Sequence, residues 1–134
     1  MIAVDSSVVV AGFAAWHEFH RAAVAALDRR PRLPAHTAIE SYSVLTRLPP
    51  PHRARPALVR DYLQANFASP YLVLSEARVA SFVADMVEAG VVGGAAYDAL
   101  IATVARDAGA TLLTCDLRAK RTYDLLGVAV EFIG

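Results

Sequence analysis

The chain has 134 residues, enough for one domain with a real core. It is 56% hydrophobic and 19% charged, with a formal net charge of +0 at pH 7, and its single cysteine, Cys115, excludes an internal disulfide. No apolar run approaches the roughly 18 residues of a membrane span, and no basic region precedes the apolar start as it would in a secretory signal, so a cytosolic protein without a membrane partner is expected.

Taken in order, Ile2-Ala3-Val4 is a short apolar run closed by Asp5. Ser6-Ser7 turns the chain before Val8-Val9-Val10 begins a helix. His17 to Arg29 reads as a helix with Phe19, Ala23, Ala26 and Leu27 on one side. His17 and His20 stand at i,i+3, a spacing open to a metal. Only Glu18 accompanies them, and two surface histidines is the plainer reading. Arg32 to Ala35 is a short strand, and Pro34 puts it at an edge or a strand end. His36 to Leu48 is a helix opened by Thr37 as cap, with Ala38, Tyr42, Leu45 and Leu48 as its buried stripe and Ile39 widening it. Glu40 falls in its first turns, off that stripe. Pro49-Pro50-Pro51 stops it. A helix from Arg55 to Asn66 turns Leu58, Tyr62 and Leu63 inward. Tyr71 to Leu74 is a strand. Ser75 then caps a helix through Ala89, with Val79, Phe82, Val83, Met86 and Val87 inward.

The stretch from Gly93 to Arg121 organises the rest. Tyr97, Leu100, Ile101, Val104 and Ala108 recur at helical spacing, and Gly109 fits the left-handed position that ends helices. Asp98 lies in the first turn, where the helix dipole favours negative charge. Thr111 to Cys115 is an apolar run of strand length with Asp116 at its end. Cys115 reads as a small buried core residue. Thr122 to Leu126 is a short helical turn closed by Gly127, and Val128 to Ile133 is the last strand.

Strands and helices alternate, so right-handed crossovers and a parallel sheet are expected. One Asp after a strand is an ordinary helix cap. Two such runs, ending in Asp5 and Asp116, suggest neighbouring strands with both carboxylates on one edge, where open α/β sheets place ligand chemistry. Charge is uneven: residues 21–60 carry eight arginines against Asp28 and Glu40, while residues 61–134 carry five basic and nine acidic groups. A basic half beside an acid cluster suits a phosphate-handling enzyme.

The opening MIAVDSSVVV, the helix AIESYSVLTRL, the segment YDALIATVARDAGATLLTCD and the terminal LGVAVEFI together resemble a PIN-domain protein, in particular the VapC-type toxin ribonucleases of bacterial toxin–antitoxin pairs. The resemblance covers nearly the whole chain. It implies a single domain over 1–134, a three-layer α/β/α sandwich with a central, mainly parallel, about five-stranded sheet. It carries the family's acidic residues over to Asp5, Glu40, Asp98 and Asp116, and its hydroxyl positions to Ser6 and Thr114. Pro34 and the triple proline are less typical of it.

Four carboxylates in one pocket repel and raise one another's pKa values, and a divalent cation would balance them. Hard oxygen ligands suit Mg²⁺ or Mn²⁺. The resemblance implies hydrolysis of RNA phosphodiesters to a 3′-hydroxyl and a 5′-phosphate. Asp5 and Asp98 are then the direct metal ligands, and Glu40 and Asp116 hold metal-bound waters or a second ion. The four carboxylates are expected to converge closely enough to share one ion. Arg118, Lys120 and Arg121 could grip the RNA backbone, or form a solvated basic helix. The family also implies a cognate VapB-type antitoxin, contact with operator DNA only through that antitoxin, and a homodimer. Phe13, Trp16 and Phe19 are candidates for an antitoxin groove or for the dimer face.

Other classes fit less well. A haloacid-dehalogenase-type phosphatase needs a second Asp where Ser7 stands. A receiver module needs an acceptor Asp after a middle strand, where this chain has Ser75. A catalytically silent PIN-like protein that binds RNA or metal would usually have lost an acid, and all four are kept.

Overall fold

A computed structural model describes all 134 residues. The order is β1 (Ile2–Val4), α1 (Ser6–Phe13), α2 (His20–Asp28), α3 (Ala35–Arg47), α4 (Pro56–Asn66), α5 (Glu76–Ala89), α6 (Ala95–Asp107), β2 (Thr111–Thr114), α7 (Leu117–Leu125) and β3 (Val130–Phe132). β1, β2 and β3 pair in that order, all parallel, with Val4 opposite Leu113 and Leu113 opposite Glu131. Two further lanes extend the sheet past β1 by single parallel bridges, Ala3 to Arg32 and Pro34 to Leu72. The expected five lanes are therefore present, but only three are full strands. Pro34 has no N–H to donate, which keeps the fourth lane from growing. The expected strand Tyr71–Leu74 shrinks to the contact at Leu72.

The sheet separates two apolar clusters. One gathers Val4, Val8, Val9, Leu33, Leu45, Val59 and Leu113 under α1 to α4. The other gathers Ala3, Ile101, Leu112 and Tyr123 under α5, α6 and α7. This is the α/β/α sandwich. α6 buries more residues than any other helix, Ala99 and the run from Ile101 to Ala105, and Gly109 follows it at φ +72°. No helix is long and apolar enough to cross a membrane.

Several expectations about faces are corrected. Thr37 is not a cap. Pro34 takes that position, and Thr37 is fully buried with its hydroxyl donating to the Val4 carbonyl at 3.2 Å. The inner face of α3 is Thr37, Ala38, Ser41 and Leu45, while Ile39 and Tyr42 point outward. Small side chains let α3 lie close to β1 and α1, where Ile39 and Tyr42 would not fit. In α4, Val59 turns inward and Leu58 outward. α5 carries two apolar stripes, and only the one through Phe82 and Met86 meets the fold. Val79, Val83 and Val87 are 60%, 74% and 75% exposed.

α2 begins only at His20, because residues 14–19 form turns. His17 Nδ1 accepts from the Phe19 N–H and His20 Nδ1 sits 2.8 Å from the Ala11 carbonyl, so both rings serve local structure. α7 is longer than expected and starts directly after Asp116, which caps it.

Candidate active site

Parallel pairing of β1 with β2 puts the ends of both strands on one edge of the sheet, and the Asp5 N–H donates to the Leu113 carbonyl. Asp5 leaves β1 and caps α1 by accepting from the Val8 N–H. Asp116 leaves β2 and caps α7 by accepting from the N–H groups of Arg118 and Ala119. The ordinary capping role and the site role coexist in both residues.

Asp5 is almost completely buried, at 2% exposure. Its Oδ1 accepts from the Ser7 hydroxyl at 2.5 Å and the Val8 N–H at 3.3 Å. Its Oδ2 accepts from the Thr114 hydroxyl at 2.5 Å and the Tyr123 hydroxyl at 2.8 Å. Burial raises its pKa, and these four donors oppose that rise. The same hydroxyls lock the second strand: Ser7 Oγ accepts from the Cys115 N–H and Thr114 Oγ1 from the Asp116 N–H. Tyr123 is 1% exposed, and burial together with Asp5 pushes its pKa far above the ordinary range, so it stays a donor.

Glu40, in the second turn of α3, reaches the same edge. The Ser6 hydroxyl donates to its Oε1 at 2.6 Å, and His36 Nε2 lies 3.3 Å from its Oε2. Asp98, in the first turn of α6, is half-buried. Burial first, then the charges of Glu40, Asp116 and Asp5, push its pKa up to about 6. No hydrogen bond opposes that rise. The other three acids therefore all lie close enough to act on Asp98, which is the one of the four without a donor.

No three His, Cys, Asp or Glu side chains form a ready-made ligand set, so the carboxylates converge without closing on one point. Mg²⁺ does not require such closure, since it is held through one or two carboxylates and keeps several waters. The donor set is all oxygen and carries excess negative charge, which fits a hard divalent ion. Asp98 offers both oxygens, whereas Asp5 would have to share an oxygen already bonded.

The basic candidates beyond Asp116 differ among themselves. Arg118 has a 97% exposed side chain, 3.8 Å from Asp116. Lys120 is engaged by Asp124 at 2.8 Å, and Arg121 is exposed. Cys115 is half-buried with its thiol pushed up to about 11, chiefly by burial, which keeps it inert. Sequence reasoning missed Ser7, Tyr123 and His36. Tyr123 gave no signal, because a tyrosine within a short helix looks like any core aromatic.

This acid-lined edge of a parallel sheet, flanked by helix starts, defines a PIN domain, and the PIN domain family model matches residues 2–125. The chain belongs to the PIN-domain family. Within it, it stands with the VapC-type ribonucleases. It is 54% identical over 133 residues to "Ribonuclease VapC40" of Mycobacterium tuberculosis, covering 99% of both chains. It is 40% identical over 130 residues to "Ribonuclease VapC27" of the same species, covering 96% of this chain and 94% of that one. The fold is also that of FitAcB from Neisseria gonorrhoeae, with TM-score 0.68, 23% identity and coverage of 97% and 96%. FitAB bound to an IR36 DNA fragment matches with TM-score 0.71, 21% identity and coverage of 98% and 94%.

Proposed function

We propose that this protein is a metal-dependent endoribonuclease toxin that hydrolyses RNA phosphodiester bonds and is neutralised in the cytoplasm by a cognate VapB-type antitoxin. The observation that carries the reading is Asp98, a donorless carboxylate pushed up to about 6 beside three other acids. A group in that state has a use for a cation. The relatives named as ribonucleases support the substrate class.

Asp98 and Asp5 would hold the ion, Mg²⁺ or Mn²⁺, which supplies Lewis acidity and neutralises charge at the phosphate. The chain's own residues do the remainder. Glu40, fixed by Ser6 and His36, and Asp116, fixed on the α7 cap, accept hydrogen bonds from water and orient it toward phosphorus. The Tyr123, Thr114 and Ser7 hydroxyls oppose the burial that raises the Asp5 pKa and hold its carboxyl group in place. Water adds to phosphorus, the bond to the 3′-oxygen breaks, and a 3′-hydroxyl and a 5′-phosphate remain. Arg121 and Arg118, the latter exposed and 3.8 Å from Asp116, would reach the RNA backbone, and Lys120 joins them only by leaving Asp124.

For the antitoxin, the aromatic set narrows to Trp16. Phe13 packs edge-on against Tyr62 and Phe19 against Phe132, while Trp16 is 52% exposed beside His52. Operator DNA would be reached only through the antitoxin. The valine stripe of α5 is the face proposed for a homodimer, since such a contiguous apolar strip is uncommon on a monomer's surface.

The test maps RNA ends after brief induction in cells, wild type against Asp98→Asn, and repeats cleavage in vitro with Mg²⁺ and with EDTA. New 5′-phosphate ends are expected only with wild type and Mg²⁺. RNA binding without any new ends would instead establish the catalytically silent alternative.

A further inference from the structure

Beside the acids, a cleft of about 430 Å³ runs between α3 and the start of α6. Glu40 and Asp98 line one end and Arg47 lines it further along α3. Tyr97 stands in its wall, one residue before Asp98. Although its position suits the apolar face of α6, the ring is 59% exposed. One face stacks in parallel on His36, with centroids 5.5 Å apart and an interplanar angle of 4°. His36 is held in turn against Glu40. The fold thus fixes the plane of an aromatic ring next to the reacting centre and leaves its other face open.

Arg47 complements it. Its Nη1 donates to the neutral Ser43 hydroxyl at 3.1 Å, and no carboxylate neutralises it. Seven residues along one helix separate it from Glu40, about 10 Å of axis. Along α3, His36 with Tyr97 stacked on it precedes Glu40 and Arg47 follows it, so the ring and the guanidinium stand to either side of that acid.

We propose that this cleft is the subsite for the nucleotide next to the scissile phosphate, with Tyr97 stacking its base and Arg47 taking a flanking phosphate of a single-stranded RNA segment. The proposal rests on the nuclease reading above and adds to it which surface grips the substrate. Single-stranded RNA is recognised by splayed bases on aromatic faces, and stacking accepts any base because every base has a π-face. A planar guanidinium suits a phosphate.

The experiment measures steady-state cleavage, with Mg²⁺, of a short single-stranded RNA carrying the cut site mapped for wild type. Tyr97→Ala and Tyr97→Leu should raise KM roughly tenfold with kcat little changed, as expected for loss of one stacked base. Tyr97→Phe, which keeps the ring, should match wild type. Arg47→Ala should raise KM and flatten its dependence on log salt by about 0.7, one phosphate contact of a single strand, and Arg47→Lys should restore the slope. Both side chains are exposed, and melting temperatures verify that each variant folds. An unchanged KM in Tyr97→Ala overturns the subsite, as does a Tyr97→Phe loss as large as that of alanine. If wild type cuts no RNA at all, the nuclease reading falls and the subsite with it; if wild type cuts and Tyr97→Ala keeps its KM, only the subsite falls.

Discussion

The Tyr123 hydroxyl donates to Asp5 Oδ2 across 2.8 Å, joining α7 to the end of β1 inside the core. The two residues lie 118 positions apart. Removing the hydroxyl leaves that oxygen with Thr114 as its remaining donor. Tyr123→Phe should cost roughly 1.5–3 kcal/mol of stability, the range for a hydrogen bond to a charged group. It should also raise the Asp5 pKa further, since one of the groups lowering it is gone. Urea unfolding at neutral pH measures the first effect. A variant as stable as wild type would show that the bond contributes little.

The site is a source of strain when metal is absent. The Asp98 pKa is pushed up to about 6 in the fold from its ordinary 3.8. A carboxyl group raised in this way favours the folded state when protonated. Its contribution is fully present below about pH 4 and is lost as the pH rises through 6. Because Asp98 is only half-buried and solvent screens part of the effect, about 1–2 kcal/mol is expected from this group. Asp98→Asn should remove that pH dependence and raise the melting temperature of metal-free protein above pH 6. The difference between the two stability–pH curves, taken in EDTA, isolates the residue. Parallel curves would refute the assignment.

Divalent ions should act in the opposite direction. An ion that binds only the folded state stabilises wild type by about 2.7 kcal/mol at a hundredfold excess over its dissociation constant. Asp98→Asn should gain much less and should not cleave RNA. Asp61 pairs with Arg60 on the surface, so Asp61→Asn should keep the full metal response and full cleavage. Thermal melting in EDTA and then in Mg²⁺ or Mn²⁺ provides the comparison. Equal metal-induced shifts in wild type and Asp98→Asn would remove the metal site.

Trp16 offers a large exposed ring whose centroid lies 4.3 Å from that of His52, the two tilted by 34°. Buried tryptophans dominate many interfaces, so Trp16→Ala should cost about 2 kcal/mol or more of antitoxin affinity. Titration calorimetry with the purified antitoxin measures it. Unchanged affinity in a folded variant would place the antitoxin elsewhere.

Val83 is 74% exposed in the middle of the α5 stripe. Val83→Glu should leave monomer stability within roughly 0.5 kcal/mol, as surface substitutions usually do. It should nevertheless convert a dimer to a monomer in sedimentation velocity. A dimer that survives the charge uses another face.

The alternation of elements, the two acids at strand ends and the acid at a helix start were readable from the chain, because each depends on local spacing. Apolar runs of this length bounded by Asp5 and Asp116 read as short buried strands, and Gly109 after a helical pattern reads as its end. Family resemblance then singled out Glu40, which spacing alone leaves as a surface acid. What the chain could not reveal was the choice between equivalent faces. α5 presents Phe82 and Met86 on one stripe and Val79, Val83 and Val87 on the next, and hydropathy scores them alike. Packing against α6 selects one. Thr37 looked like a cap because its hydroxyl could satisfy local N–H groups, yet the Val4 carbonyl reached it first. Tyr123 and Asp5 were matched only when the sheet brought distant segments together. Periodicity records how each segment meets water, whereas the partner of a buried polar atom is settled by whichever group lies nearest once the layers close.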